Sequence, residues 1–340
     1  MHVRSIAGGL LVLAALLASA DTARGAEGPI SRGERLYRSG YDKLVPLGGP
    51  DSTNRSLRAG DVQLRDHYRL RLLQDRFDGY YRFKRKLKDR FGFAVGGDYN
   101  FLYQVATDSK AEDQASSGVF RLYLNWTFLG RGRPTNTHFV FRIENRHRIG
   151  TDIPPTGLGD AIGSLFGTAT AFDDWGWGIT NCQIQQLFCK GRYAFAIGQV
   201  DARDWIDPFP LSNWRTALLS PATTYPVTKL PSAGLGAAGQ AVFRSGPSPY
   251  VQAGIFDANG KPYELGFDTF VEVREYYAAV SVGWFPSFER RFRDNLRVTY
   301  WHQDARKEAG TPEGWGVSFS GSWEFRETWM PFVRGGWAEG

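Results

Sequence analysis

The chain has 340 residues and a formal net charge of +6, from 41 lysines and arginines against 35 aspartates and glutamates. Its two cysteines exclude a disulfide-rich scaffold, and its five scattered histidines supply little for a metal cluster. The 40 glycines favour turns and closely packed strands over long helical bundles. We predict that the protein uses no cofactor and holds no metal.

The N-terminus has the parts of a secretory signal peptide. Arg4 supplies the positive charge, residues 6–17 form an apolar run, and residues 18–20 are a small-residue cleavage site. We therefore predict a signal peptide over 1–20, or to residue 25 if a second candidate site is used. A membrane anchor is the alternative, but the run is short for a hydrocarbon core of about 30 Å.

Residues 21–90 differ in character from the rest of the chain. They contain a Gly-Gly-Pro-Asp-Ser stretch at 48–52 and end in a basic stretch over 82–90, in which Phe83 and Leu87 have helical spacing. This predicts a short amphipathic helix before the first strand. A basic stretch can bind nucleic acid, but an exported chain meets little of it, so we predict no nucleic-acid partner.

From residue 91 onward, apolar and polar side chains alternate with the period of two that is typical of β-strands. Tyr99 and Phe101 share one face, for example, whereas Asp98 and Asn100 share the other. The pattern predicts an all-β, antiparallel fold. Eleven strands are predicted, near 91–106, 118–130, 137–149, 176–189, 192–204, 235–244, 249–257, 270–285, 294–304, 313–325 and 329–338.

Alternation alone fits both a soluble sandwich and a membrane barrel, whose apolar face meets lipid and whose polar face meets water. The loop lengths favour the barrel. Connections after odd-numbered strands are long, the largest near 150–175 and 205–234, whereas those after even-numbered strands are short. An odd strand count leaves an unpaired edge, which predicts further strands beyond residue 340 unless the count is wrong by one.

Several motifs occur in order along the chain. They include Trp-Thr-Phe-Leu-Gly-Arg-Gly at 126–132, Glu-Asn-Arg-His-Arg-Ile-Gly-Thr-Asp-Ile-Pro-Pro at 144–155, Asp-Trp-Gly-Trp-Gly-Ile-Thr-Asn at 174–181 and Glu-Ala-Gly-Thr-Pro-Glu-Gly-Trp-Gly-Val at 308–317. With these motifs, residues 75–340 resemble the bacterial carbohydrate-selective porin family. The sequence at 77–82 departs from the family pattern before the first strand.

The resemblance implies a transmembrane β-barrel of about 16 strands in the outer membrane of a Gram-negative bacterium. Residues 91–340 would form this barrel, incomplete at its C-terminus, and residues 21–90 would lie in the periplasm. Monosaccharides and small oligosaccharides would diffuse through it down their gradient. The expected partners are carbohydrate solutes and outer-membrane lipid, with a homo-oligomer left open.

The polar face of neighbouring strands is predicted to line the pore. Guanidinium donors with amide and carboxylate acceptors suit sugar hydroxyls, which must exchange water for protein contacts. The predicted pore-lining residues are Asp98, Asn100, Arg121, Tyr123, Asn125, Arg142, Glu144, Arg146, Arg148, Asn181, Gln183 and Gln185. In the alternative interpretation, these charges only neutralise one another across the wall.

The long loop over 150–175 is the predicted constriction, if it folds inward. It and the start of the next strand carry Asp152, Asp174, Trp175 and Trp177. An ordered extracellular cap is the alternative.

Other functions compete with sugar diffusion. The arginines also fit a general or anion-preferring porin, and a barrel without transport is a further alternative. The sequence contains no His-Glu-x-x-His or Gly-x-Ser-x-Gly motif, so we predict no catalytic residues and no enzyme activity.

Overall fold

The computed structural model describes residues 48–61, 71–226, 228–244, 246–326 and 328–339. The predicted signal peptide lies outside these residues. The described chain is dominated by one antiparallel sheet, whose eleven strands neighbour one another in chain order. The strands are β1 Phe93–Val105, β2 Gln114–Leu129, β3 Asn136–Arg148, β4 Gly176–Phe188, β5 Tyr193–Val200, β6 Gly234–Val242, β7 Ser248–Asp257, β8 Tyr276–Phe285, β9 Asn295–Gln303, β10 Gly314–Ser322 and β11 Phe332–Glu339. The predicted all-β class and the predicted strands are confirmed.

Four α-helices lie among the described residues: α1 Thr53–Asp61, α2 Arg71–Phe91, α3 Pro155–Ala161 and α4 Pro221–Thr224. Helix α2 is longer than the predicted short helix. It ends because Gly92 takes a left-handed backbone conformation (φ 79°) and donates its N–H to the carbonyl of Lys88. The described helices include none that is both long and apolar enough to cross a bilayer.

Two predicted strands extend too far along the chain. Strand β8 was expected from residue 270, but Thr269–Val273 forms a π-helical turn that ends where Arg274 adopts a left-handed conformation. Strand β5 was expected to reach residue 204, but Ala202–Asp204 forms a 3-10 turn. That turn begins where the Asp201 carboxylate accepts the N–H of Arg203. Local side-chain and turn geometry overrides the alternating pattern at both sites.

The two faces of the sheet have opposite polarity, and the polar face is the buried one. On the outer face, Ile197 is 56% exposed and Val298 is 49% exposed. On the inner face, Arg121 is fully buried and Glu144 is 1% exposed. A soluble sheet protein buries its apolar face instead.

Contacts with one segment show that the sheet is strongly curved. In a flat sheet, the first and last of eleven strands would lie about 48 Å apart. Yet residues 207–215 contact both of these strands. The segment turns back where Ser212 donates its N–H to the carbonyl of Phe209. Arg215 Nη1 lies 2.9 Å from Asp98 Oδ2 on β1, and Asp207 Oδ2 lies 3.0 Å from Arg334 Nη2 on β11.

The inner face therefore wraps around the connection between β5 and β6. Part of this connection forms the largest apolar cluster, in which Trp205 and Ile206 pack against Ala196, Ala238 and Ala279 on the inner face. Small side chains on these strands leave room for the indole ring, so residues 205–206 are anchored inside the curve.

We predict that Gly198→Ala lowers the free energy of unfolding by about 1–3 kcal/mol. Gly198 has φ 131°, and an added Cβ would lie 2.3 Å from the Cys182 carbonyl oxygen on β4. The measurement is denaturant-induced unfolding followed by tryptophan fluorescence. Gly335→Ala is the matched control, because a Cβ there meets nothing within 4 Å. Equal midpoints for the two variants would contradict the prediction.

Candidate functional site

The N-terminal segment over residues 48–61 lies inside the curve of the sheet. Thr53 Oγ1 donates to Asn181 Oδ1 at 3.1 Å, and Asn54 Nδ2 donates to Gln185 Oε1 at 3.2 Å. Asn125 also bonds to Asn54. Residues 48–61 belong to the predicted periplasmic segment over 21–90. In the structure, they pack against the inner face of β1 to β4.

Asp51 is the centre of the first charge cluster. Its carboxylate lies 3.0 Å from Arg121 Nη1 and 3.2 Å from Arg215 Nη2, and it accepts the indole N–H of Trp214 at 2.8 Å. Asp98 pairs with the same two arginines, at 3.0 Å and 2.9 Å. Two carboxylates thus balance two guanidiniums, and the cluster ties the segment 48–61 to β1 and β2.

The environment of Asp51 favours its charged form. Burial alone would raise the pKa of this carboxyl, but the neighbouring charges of Arg121, Arg215 and Arg142 lower it well below its usual value. The attachment of the segment 48–61 therefore depends on an ionised carboxylate.

The second cluster is centred on Glu144 of β3. Its carboxylate lies 3.1 Å from Arg142 Nε and 2.6 Å from Arg146 Nη2. Asp201 lies 3.5 Å from Arg142 and 2.7 Å from Arg203. Each carboxylate is therefore shared by two arginines.

Asp204 lies beside this cluster without an arginine partner in hydrogen-bond contact among the described residues. Its Oδ1 accepts the N–H of Gly49 at 3.2 Å. Burial, with a smaller contribution from the nearby charge of Asp201, raises the pKa of Asp204 to about 7. Asp204 is therefore a buried carboxyl that changes its charge near neutral pH.

A third cluster connects β9 and β11 through Asp207. This carboxylate lies 3.7 Å from Arg297 and 3.0 Å from Arg334. The guanidinium of Arg334 also lies over the ring of Phe209, 4.6 Å from its centroid. Strand β11 therefore presents Arg334 to the inner face.

Two cavities lie on different sides of these clusters. The cavity near the short turns has about 380 Å³ and is lined by Asn54, Asn125 and His138, together with residues of α2. The other cavity, which we call the arginine cavity, has about 710 Å³. Its lining includes Arg142, Arg146, Arg203, Lys229 and Arg334.

Most predicted pore-lining residues lie on the inner face. Arg121, Tyr123, Arg142, Glu144, Asn181, Gln183 and Gln185 are buried there, and Asp98, Asn100, Asn125 and Arg146 are half-buried. Arg148 is different, because it is exposed and pairs with Asp174 at 2.5 Å.

The four predicted constriction residues lie in different environments. Trp177 is 58% exposed and packs edge-on against Phe120 of the outer face. Asp152 and Asp174 are exposed near Arg148. Trp175 alone approaches the inner clusters, with its ring 4.7 Å from the guanidinium carbon of Arg146.

The connection over 201–233 fills the interior together with part of the loop over 150–175. In that loop, Phe172 packs edge-on against Trp214 and shares a buried cluster with Val119 of β2. The connection over 201–233 supplies Asp201, Arg203, Asp207 and Arg215, none of which the sequence identified as functional. These residues and Asp51 were missed because irregular segments have no periodicity. The signal that could have identified them is the position of charged residues beside Gly and Pro in long connections that also contain apolar residues.

No protein-family model and no curated protein matches the chain. Among solved structures, the high-pH structure of Pseudomonas putida OprB is similar, with a TM-score of 0.49 and 14% sequence identity. The similarity covers 71% of this chain and 64% of that one, so the chain spans just under two thirds of that protein.

We predict that Asp51→Asn lowers the free energy of unfolding at pH 7 by about 3 kcal/mol, because it leaves two buried guanidiniums undercompensated. Because the pKa of Asp51 is lowered in the native protein, its ionised carboxylate stabilises the fold at pH values above the ordinary carboxyl pKa of 3.8. This contribution is lost as the pH falls below 3.8. The difference between native protein and variant should therefore shrink in acid. Equilibrium unfolding from pH 7 to pH 3 measures it.

The control is Asp160→Asn, on the exposed surface of α3. It should change the unfolding free energy by no more than about 0.5 kcal/mol. A difference for Asp51→Asn that stays constant with pH would contradict the assigned role of its charge.

Proposed function

We propose that the protein is an outer-membrane channel through which sugars diffuse passively. The observation that carries this proposal is the reversed polarity of the sheet. Backbone groups in a bilayer must be paired within the protein, and side chains that face lipid must be apolar. A curved antiparallel sheet with an apolar outside and a charged inside meets the side-chain requirement, and strands β2 to β10 are paired on both sides.

Aromatic residues support a membrane location. Trp126 is exposed on the outer face and stacks on Phe93 near the short turns. Trp315 and Trp337 are exposed near the opposite ends of the strands, and their rings are 4.8 Å apart. Amphipathic rings at both edges of an apolar band are typical of proteins that cross a bilayer.

The interior suits polar, uncharged solutes as well as ions. Guanidinium donors, carboxylate acceptors and amides line the inner face, and several rings lie beside them. Gln183 Oε1 and Asn181 Nδ2 are buried without a hydrogen-bond partner in the described structure. Such groups can exchange hydrogen bonds with sugar hydroxyls.

The choice of sugars rests on the motifs shared with carbohydrate-selective porins. By that resemblance, further strands would close the sheet, since β1 and β11 each have one neighbouring strand among the described residues. The location in a Gram-negative outer membrane follows from the same resemblance.

A general or anion-preferring porin is the second candidate. The arginines of the inner face favour it, because a positive lumen concentrates anions. Single-channel recording separates the two. A sugar channel should show saturable block of ion current by sugar, whereas a general porin should not.

The proposal predicts that liposomes containing the full chain swell in isosmotic glucose faster than empty liposomes. Arg146→Gln should change the glucose dependence of this rate several-fold, because Arg146 lines the arginine cavity. Arg133→Gln is the control, since Arg133 is exposed in the turn between β2 and β3. Inserted protein that permits no swelling would overturn the proposed function.

A further inference from the structure

The arginine cavity contains more positive than negative charge. The arginines around it share their carboxylates in pairs: Arg142 and Arg146 share Glu144, Arg142 and Arg203 share Asp201, and Arg297 and Arg334 share Asp207. With Lys229, these five arginines make six cationic groups in the described structure. The carboxylates number three, or four if Asp204 is included.

The carboxylates of the first cluster do not remove this excess. Asp51 and Asp98 are engaged by Arg121 and Arg215, which form a balanced set. A cavity with surplus cations attracts an anion more strongly than a neutral molecule.

One donor in the cavity has unmet capacity. Arg334 Nε is buried and has no hydrogen-bond partner among the described residues. Lys229 also lines the cavity, and burial together with the nearby charge of Arg306 lowers the pKa of its ammonium group. An anion beside Lys229 would stabilise the charged ammonium group. It would thereby oppose the effects of burial and of the Arg306 charge.

The other features of the cavity point to a sugar rather than a small inorganic anion. Its volume of about 710 Å³ lies within the range of small-molecule sites. Phe209 and Phe332 form an aromatic wall, with ring centroids 4.9 Å apart, and Tyr225 lies below the guanidinium of Arg203. Rings of this kind pack against the C–H faces of a sugar.

We propose that the arginine cavity prefers acidic sugars, in which one ring or chain end carries a carboxylate, over neutral sugars. The carboxylate would bind near Lys229 and Arg334, and the sugar body would pack against Phe332 and Tyr225. This inference deepens the proposed function by naming the class of solute, and it rests on that function for its biological meaning.

Calorimetric titration of the purified full chain tests the preference. The probes are gluconate, glucose and acetate, at one ionic strength and pH. Gluconate should bind about tenfold more tightly than glucose and than acetate, because a charge-assisted contact and the sugar body both contribute. Equal binding of gluconate and glucose, or of gluconate and acetate, would overturn the proposal.

Lys229→Gln should abolish most of the preference for gluconate over glucose, and Lys229→Arg should restore it. The control is Lys190→Gln, which changes an exposed lysine at the turn between β4 and β5. If Lys229→Gln weakens gluconate and glucose equally, the charge assignment is wrong. Absence of glucose flux in the liposome assay would instead overturn the channel function, while the binding preference would stand.

Discussion

Buried guanidinium groups impose the constraint on which the rest of the structure depends. Arg121 and Arg142 project from β2 and β3 onto the inner face and are almost fully buried. A buried charge without a partner is strongly destabilising. The strands supply Asp98 and Glu144, but these two carboxylates alone cannot compensate the arginines of the inner face. The remaining carboxylates come from irregular segments, in Asp51, Asp201 and Asp207.

This requirement explains why chain segments occupy the interior. The segment 48–61 and the connection over 201–233 enter the curve of the sheet and bring acidic groups to arginines on separate strands. Arg215 and Asp207 lie in the same connection yet contact β1 and β11. The ion pairs thus fix the width of the interior as well as its charge. Of the two cavities that they leave, the arginine cavity is the larger.

The strands were predictable because alternation is a local property. Tyr99 and Phe101 were assigned to the apolar face and are exposed, and Arg121 and Arg142 were assigned to the polar face and are buried. The interior was not predictable in the same way. Asp51 and Asp201 act through partners far along the chain, and no periodicity marks them. Trp177 was placed in a constriction because its loop is long, but its ring packs on the outer face.

The orientation of the sheet is tested most directly by paired spin labels on β1. Ala94 lines the cavity near the short turns, and Phe101 is 55% exposed on the outer face. In a background carrying Cys182→Ser and Cys189→Ser, labels at Ala94→Cys and Phe101→Cys would be compared in phospholipid vesicles. The account predicts more contact with aqueous nickel reagent at position 94 and more contact with lipid-soluble oxygen at position 101. The reverse order would contradict it.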